Sequence, residues 1–344
     1  MSSKGVLLVN LGSPDSTKTA DVRRYLREFL GDPRVIDIPV WQRKPLVNLV
    51  ITPFRAPKSA EAYEKVWTSE GSPLIVTTER VRDLLREKID LPVEIGMRYG
   101  NPSTESGVRA LLARGVTEIF LIPLYPHYAL SSYETAVAMT QEVVEKIAPG
   151  VKLVVQPPFY DHPDYIDALV EVAKPHLEGE EYDHVLFSYH GVPERHVKLT
   201  DPSGCYCLRM NDCCKLKSPA HAFCYRHQCY ATTWAFAEKA GIPTEKYSVS
   251  FQSRLGRDPW LRPYTDYELE RLPSQNKKRV VILSPAFVSD CLETIEELGM
   301  EGREEFLEAG GKDYRLVPCL NDHPRWIEVL HGFVDHYLEG GLRV

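Results

Sequence analysis

Two pairs of matching blocks constrain this 344-residue chain more than any single motif. "VLLVNLGSP" (residues 6–14) resembles "VLFSYHGVP" (185–193), with Val, Leu, Gly and Pro in register, and "PHYALSSYET" (126–135) resembles "PAFVSDCLET" (285–294). The pairs come in the same order, and a weaker third sets "MRYGNP" beside "QSRLGRDP". Self-similarity of this kind marks an arrangement that is built twice. It places Leu11 opposite His190, and Glu134 opposite Glu293.

Short β-branched runs bounded by Gly and Pro recur along the chain: "GVLLVNLG", "VEIGMRYG", "EIFLIPLYP", "KLVVQPPF", "HVLFSYHG", "KYSVSFQS" and "RVVILSP". Between them lie helical spacings such as Val22, Tyr25, Leu26, Phe29 and Leu30, stopped by Gly31 and Pro33. Buried strands alternating with helices predict an α/β fold with doubly wound parallel sheets. The expected domains are 1–150 and 151–320, facing a central cleft, with a cysteine-rich insertion at 201–230. The stretch "PRWIEVLHGFVDHYLEG" within 321–344 is expected to pack as a helix back on the first domain.

Charge excludes one class of partner. A formal net charge of −7 argues against nucleic acid, whose binding needs clustered Lys and Arg to release counterions. The opening "MSSKGVLLVNLGSP" meets Gly and Pro too early for a signal peptide or a membrane span, so a cytoplasmic protein is expected. Thiols stay reduced there, which turns the crowding of six of the eight cysteines into residues 205–229 toward metal binding rather than disulfides.

In doubly wound sheets ligands bind beyond the carboxyl ends of the strands, where both matched blocks fall. His190 closes an apolar strand before Gly191, and its imidazole suits proton transfer near neutral pH. Asp290, Glu293 and Glu297 would share one face of a helix starting near Asp290. Such a row of carboxylates can conduct protons or pass a hydrated divalent cation inward. These residues predict metal handling or proton transfer and name no substrate.

Beyond that point, "FSYHGVPERH", "FQSRLGRDPWLRP" and "AFVSDCLET", with "VNLGSP", "MRYGNP" and "YPHYALSS", resemble the signatures of the ferrochelatases along nearly the whole chain. The resemblance implies two similar Rossmann-like domains and insertion of Fe2+, a substrate, into protoporphyrin IX. It implies proton abstraction by His190 opposite Glu293, both near the substrate iron, with Asp290 and Glu297 on the proton or metal path. Leu11, Arg98, Tyr99, Ser131, Ser132, Trp260 and Phe287 would contact the porphyrin. Leu11 stands where coproporphyrin users tend to carry Tyr, which favours protoporphyrin. Cys291 departs from the His of the commoner "SDHxET" pattern.

For the segment "IDIPVWQRKPLVNLVITPFRAPK", with Arg43, Lys44, Arg55 and Lys58, the resemblance implies an apolar lip over the pocket, suited to peripheral contact with the inner face of a membrane, while the bland reading of the residues is an ordinary helix and core strand. For the cysteines, four thiolates can hold zinc or an iron-sulfur cluster. The resemblance favours a 2Fe-2S cluster on Cys207, Cys214, Cys224 and Cys229, with Cys205 and Cys213 as substitutes. Two other readings remain open: a chelatase for coproporphyrin or another tetrapyrrole, and a haem or iron sensor without catalysis.

Overall fold

The computed structural model describes residues 3–179, 181–210, 212–254 and 258–342. Leu255, Gly256 and Arg257 of the "QSRLGRDP" block lie outside the described residues. Strands β1 (Lys4–Ser13), β2 (Val93–Gly100), β3 (Glu118–Pro123) and β4 (Lys152–Val155) form one sheet in the order β2-β1-β3-β4. Strands β5 (His184–His190), β6 (Tyr247–Gln252), β7 (Arg279–Leu283) and β8 (Asp313–Leu316) form a second, in the order β6-β5-β7-β8. Every neighbouring pair is parallel. The two sheets thus share one topology, with β1 and β5 in equivalent places. This is the α/β architecture with two similar domains that the internal repeat predicts.

Both central strands are enclosed: Val6 to Val9 and Val185 to Phe187 have no solvent exposure. A parallel sheet covered by helices on both faces needs such continuous apolar runs, and each fully buried Leu or Val there stabilises the fold by roughly 1.5–3 kcal/mol. The helix Thr19–Gly31 buries Val22, Tyr25, Leu26 and Leu30. In the second sheet Leu186, Val280 and Ile282 pack with Leu269, Leu272, Leu298, Phe306 and Tyr314.

The chain divides into two compact units, the first running to Leu124 and including Leu130–Pro157 and the segment from Pro324, the second holding Tyr125–Ala129 and Pro158–His323. The first unit reaches past residue 150 because β4 completes its sheet; a boundary at 150 would detach that strand from β3. Helix Pro324–Leu338 belongs to the first unit, where the Tyr337 ring stacks on Phe120 at 4.4 Å and its hydroxyl donates to Glu118 Oε1 at 2.6 Å. The strand β8, "DYRL", is four residues long and half polar, so it carries no apolar run that would predict it.

Candidate functional site

Each sheet has one place where the chain order reverses: between β1 and β3, and between β5 and β7. Beyond the carboxyl ends of the strands at such a point lies the crevice in which doubly wound folds bind ligands. In the second unit the residues flanking it are His190, last in β5, and the loop from Ser284 to Leu292 after β7.

His190 is half-buried and held from three directions. Its carbonyl accepts from the Tyr225 hydroxyl at 2.8 Å, and its ring meets Phe287 edge-on with centroids 6.1 Å apart. In the strand register it stands opposite Gln252. The chain can pass this close to β6 and Trp260 only because residue 191 is glycine: a Cβ there would lie 2.7 Å from Gln252 O and 3.2 Å from the Trp260 ring. The same close approach brings Trp260 against Gly191, next to His190, with Pro193 and Trp260 forming a short antiparallel bridge.

Gln252 is buried and was not singled out by sequence reasoning, although it lies inside the quoted "FQS" motif. Its side-chain carbonyl accepts from Ser188 at 2.6 Å, and its amide donates to the backbone carbonyl of Glu293 at 3.2 Å. It therefore ties the β5–β6 edge to the start of the carboxylate-bearing helix. Next to it, Ser253 (φ 63°) donates its hydroxyl to Glu297.

The carboxylates are arranged differently from the expected helical row. Helix Glu293–Gly302 is wide-turned, of the π type, and Asp290 lies in the loop before it. With bonds running from i to i+5, residues four apart such as Glu293 and Glu297 stay on nearly one face, whereas Asp290 does not continue that face. Its carboxylate instead accepts from Thr294 Oγ1 at 2.9 Å and Asn321 Nδ2 at 2.6 Å, and its amide donates to Asn321 Oδ1 at 2.8 Å. These bonds fix the loop's entry into the helix. Glu293 and Glu297 are half-buried, and Glu296 between them is buried. Burial and the neighbouring Glu293 push the Cys291 thiol well above its ordinary range, so it stays protonated.

In the first unit Leu11 is half-buried at the end of β1, and Ser131 and Ser132 are half-buried in the wide turn Leu130–Glu134 after β3. Arg98 and Tyr99 differ from the expected ligand-facing pair. Tyr99 is fully enclosed and donates to Asp32 Oδ2 at 2.9 Å, while Arg98 is buried, pairs with the same carboxylate and donates to Thr135 Oγ1 at 2.7 Å. Burial alone would favour neutral Asp32. Hydrogen bonds from Thr135 and the Arg34 amide, with the Arg98 charge and the Tyr99 hydroxyl, outweigh it and hold the carboxyl below its ordinary range. Asp32, missed in the sequence, is thus the centre of a buried network joining β2 to the turn that carries Ser131 and Ser132.

The ferrochelatase family model matches residues 3–338. The chain is 50% identical to the ferrochelatase of Opitutus terrae over the full length of both, and 51% identical to that of Pseudomonas putida strain W619, covering 96% of this chain and 98% of that one. The chain belongs to the ferrochelatase family. It is therefore a metal chelatase, a lyase of haem synthesis whose metal substrate is iron. Among solved structures, SirB from Bacillus subtilis with Fe3+ aligns with a TM-score of 0.56 at 14% identity, over 97% of this chain and 95% of that one. The cobalt complex of the sirohydrochlorin chelatase SirB from Bacillus subtilis subspecies spizizenii gives 0.53 at 11% identity, over 97% and 94%. At such identities the likeness concerns the fold.

In this member of the ferrochelatase family the insertion gathers sulfur. The thiols of Cys207 and Cys214 both meet that of Cys224, and Cys214 also meets Cys213. All four are buried, and burial pushes Cys207 up to about 11. Cys229, fully buried in helix Tyr225–Lys239, meets Tyr225 and lies near Cys214. Cys205 is exposed. Among the described residues no group of three or more His, Cys, Asp or Glu side chains is placed to hold a metal ion. The Arg226 guanidinium lies beside the sulfurs of Cys213 and Cys214.

From Val40 onward the segment expected as a lip is helical, as Val40–Pro45, Leu46–Ile51 and Thr52–Val66, with no core strand. It exposes Trp41, Leu49, Val50 and Phe54, the last at 76%. Lys44, Arg55 and Lys58 are exposed beside them, but Arg43 is buried and donates to the carbonyls of Ile36 and Ile38. No helix among the described residues is long and apolar enough to cross a membrane.

Proposed function

We propose that the chain inserts Fe2+ into protoporphyrin IX, with His190 abstracting the pyrrole protons and Glu293 opposite it at the substrate iron. The observation that carries this reading is the placement of His190 and the Phe287–Glu293 stretch on the two sides of the β5/β7 reversal. A porphyrin keeps two N–H protons where the metal must go, so insertion needs a base for the protons and a rigid wall that favours a distorted ring. His190 supplies the base, on a strand end locked by Gln252 and Tyr225. Trp260 and Phe287 supply apolar surface beside it. Leu11, Ser131 and Ser132 are the porphyrin contacts proposed for the equivalent strand ends of the first unit. Arg98 and Tyr99 act from beneath them, through Asp32 and Thr135.

Glu297 extends the carboxylate line from Glu293 and is oriented by Ser253. Asp290 keeps a part in that path only through its effect on the loop, since three local partners already engage its carboxylate. The residues that would hold a 2Fe-2S cluster are Cys207, Cys214 and Cys224, with Cys213 or Cys229 as the fourth. When bound, such a cluster supplies a one-electron redox centre and a covalent staple for the insertion. Peripheral membrane contact is assigned to Trp41, Leu49, Val50 and Phe54, with Lys44, Arg55 and Lys58 suited to anionic headgroups.

An anaerobic substrate panel tests the reading. Fe2+ supplied with protoporphyrin IX, with coproporphyrin III or with an earlier tetrapyrrole should give the fastest loss of free-porphyrin absorption with protoporphyrin IX. Faster metallation of coproporphyrin would overturn the choice of porphyrin, and binding without metallation of any of them would favour a sensor.

A further inference from the structure

One face of helix Tyr225–Lys239 reaches two separate places on which the site depends. Tyr225, Gln228 and Thr232 share that face at i, i+3 and i+7, and all three are buried. The Tyr225 hydroxyl donates to His190 O at 2.8 Å, and Thr233, beside the face, meets the Tyr189 hydroxyl at 2.8 Å. Thr232 Oγ1 meets His127 Nε2 at 2.8 Å and donates to Tyr160 O at 2.7 Å. Gln228 Oε1 accepts from the Tyr128 amide at 2.6 Å. The helix thus holds the strand that ends in His190 and, apart from it, the segment Tyr125–Ala129 that follows β3.

Gln228 also bonds in a second direction. Its Nε2 donates to Ala222 O at 3.0 Å and to His221 O at 3.2 Å, carbonyls of the turn Pro219–Phe223 that closes the insertion. The Tyr128 ring stands edge-on to Phe223 of the same turn, with centroids 5.4 Å apart. Oxygen and both amide hydrogens of the side chain are therefore engaged, and only one orientation of the amide puts oxygen on the Tyr128 N–H and hydrogens on the two carbonyls. A buried primary amide is costly unless it is bonded in this way. An apolar side chain of similar volume would fill the space and leave the Tyr128 amide without its acceptor.

Tyr128 belongs to the same compact unit as the helix, and the wide turn Leu130–Glu134, which carries Ser131 and Ser132, begins two residues after it. We infer that Gln228 is a positioning residue for porphyrin binding: it fixes the Tyr128 backbone against the closing turn of the insertion and so sets the entry into the turn that presents the two serines. The inference rests on the reading of Ser131 and Ser132 as porphyrin contacts given under Proposed function. Gln228 acts through the backbone and not by touching the porphyrin. A shift of about 1 Å at a substrate contact, caused from a distance, is enough to weaken substrate use. Tyr225, three residues earlier on the same face, addresses the base strand instead, so the two residues have separable effects.

The test uses the full-length protein as wild type, Gln228→Met, Tyr225→Phe and the pair Ser131→Ala/Ser132→Ala. Steady-state metallation of protoporphyrin IX by Fe2+ under anaerobic conditions gives kcat and the porphyrin KM, quenching of protein fluorescence gives the porphyrin Kd, and circular dichroism follows folding. Gln228→Met should raise KM and Kd several-fold and lower kcat by less. Tyr225→Phe should lower kcat with KM held. If Gln228→Met does not fold, Gln228→Asn carries the same expectations, because it keeps an amide but is one methylene too short to span both sides. A folded Gln228 variant with the wild-type KM and Kd would overturn the role of Gln228, and so would an equal rise of KM in Tyr225→Phe, which would mean that any loosening of the helix has this effect. A wild-type KM and Kd in the serine pair would overturn the contact reading itself, and the inference with it; raised values there beside unchanged ones in Gln228→Met would overturn the inference alone.

Discussion

Gln252 donates its side-chain amide to the backbone carbonyl of Glu293 across 3.2 Å while standing opposite His190 in the β5–β6 register. A proposed base and its proposed carboxylate partner are thereby referred to one buried side chain, which Ser188 orients in turn. Replacing Gln252 by Ala leaves the Glu293 carbonyl and the Ser188 hydroxyl short of a partner, at a cost of about 1–3 kcal/mol. Metallation rate should fall by roughly tenfold with little change in porphyrin affinity, a split that steady-state kinetics reads directly. A folded variant with unchanged kcat would show that Gln252 only packs.

Asp32 answers to stability. Its folded carboxyl is held below the ordinary range, so the stability it contributes is present above the unfolded value near pH 3.9 and is lost as pH falls through the lower folded value. Asp32→Asn leaves the Arg98 charge buried and unpaired, which should destabilise the first unit by about 3–5 kcal/mol at neutral pH. Thermal melts of both proteins from pH 7 into acid below pH 3 check this: the gap between them should stay wide down to about pH 4 and shrink below it.

Two buried histidines set a milder acid limit. Burial holds both His127 and His184 down to about 3. Between about pH 6.5 and 3 the unfolded chain takes up protons that these rings refuse, so stability must fall as pH falls, by up to about 1.4 kcal/mol per pH unit per group. His184→Asn should flatten the slope of melting temperature against pH between 6.5 and 5. An unaltered slope would mean that His184 titrates in the fold as it does in the open chain.

The exposed helical segment predicts surface behaviour. Co-sedimentation with vesicles containing anionic lipid should retain the wild type, and a Trp41→Ser/Leu49→Ser/Phe54→Ser triple variant should lose most of that binding while melting normally, because all three side chains are exposed. Equal recovery of both proteins in the supernatant would remove membrane contact from the account.

Much of this was legible beforehand, for physical reasons. Parallel strands enclosed on both faces must be continuously apolar, so seven of the eight strands announced themselves, while the short half-polar edge strand β8 did not. His190 could be placed because strand–Gly–Pro ends are local features. What escaped depends on tertiary partners. Tyr99 looks like any polar-tipped aromatic until Asp32, 67 residues away, claims its hydroxyl. Asp290 fits an i, i+3, i+7 pattern only if the helix begins there and keeps ordinary pitch, and neither holds. Cys213, placed in the sequence only as a substitute, turns its sulfur toward Arg226 together with Cys214, which no local spacing shows.

The central claim is that His190 removes the pyrrole protons. Wild type, His190→Ala and Glu293→Gln, each mixed anaerobically with protoporphyrin IX and Fe2+, should be followed by loss of the free-porphyrin absorption bands. Wild type should metallate the porphyrin, His190→Ala should lose roughly 10²–10⁴-fold in rate with porphyrin still bound, and Glu293→Gln should show a comparable fall. Wild-type rates in a folded, porphyrin-binding His190→Ala protein would contradict that claim.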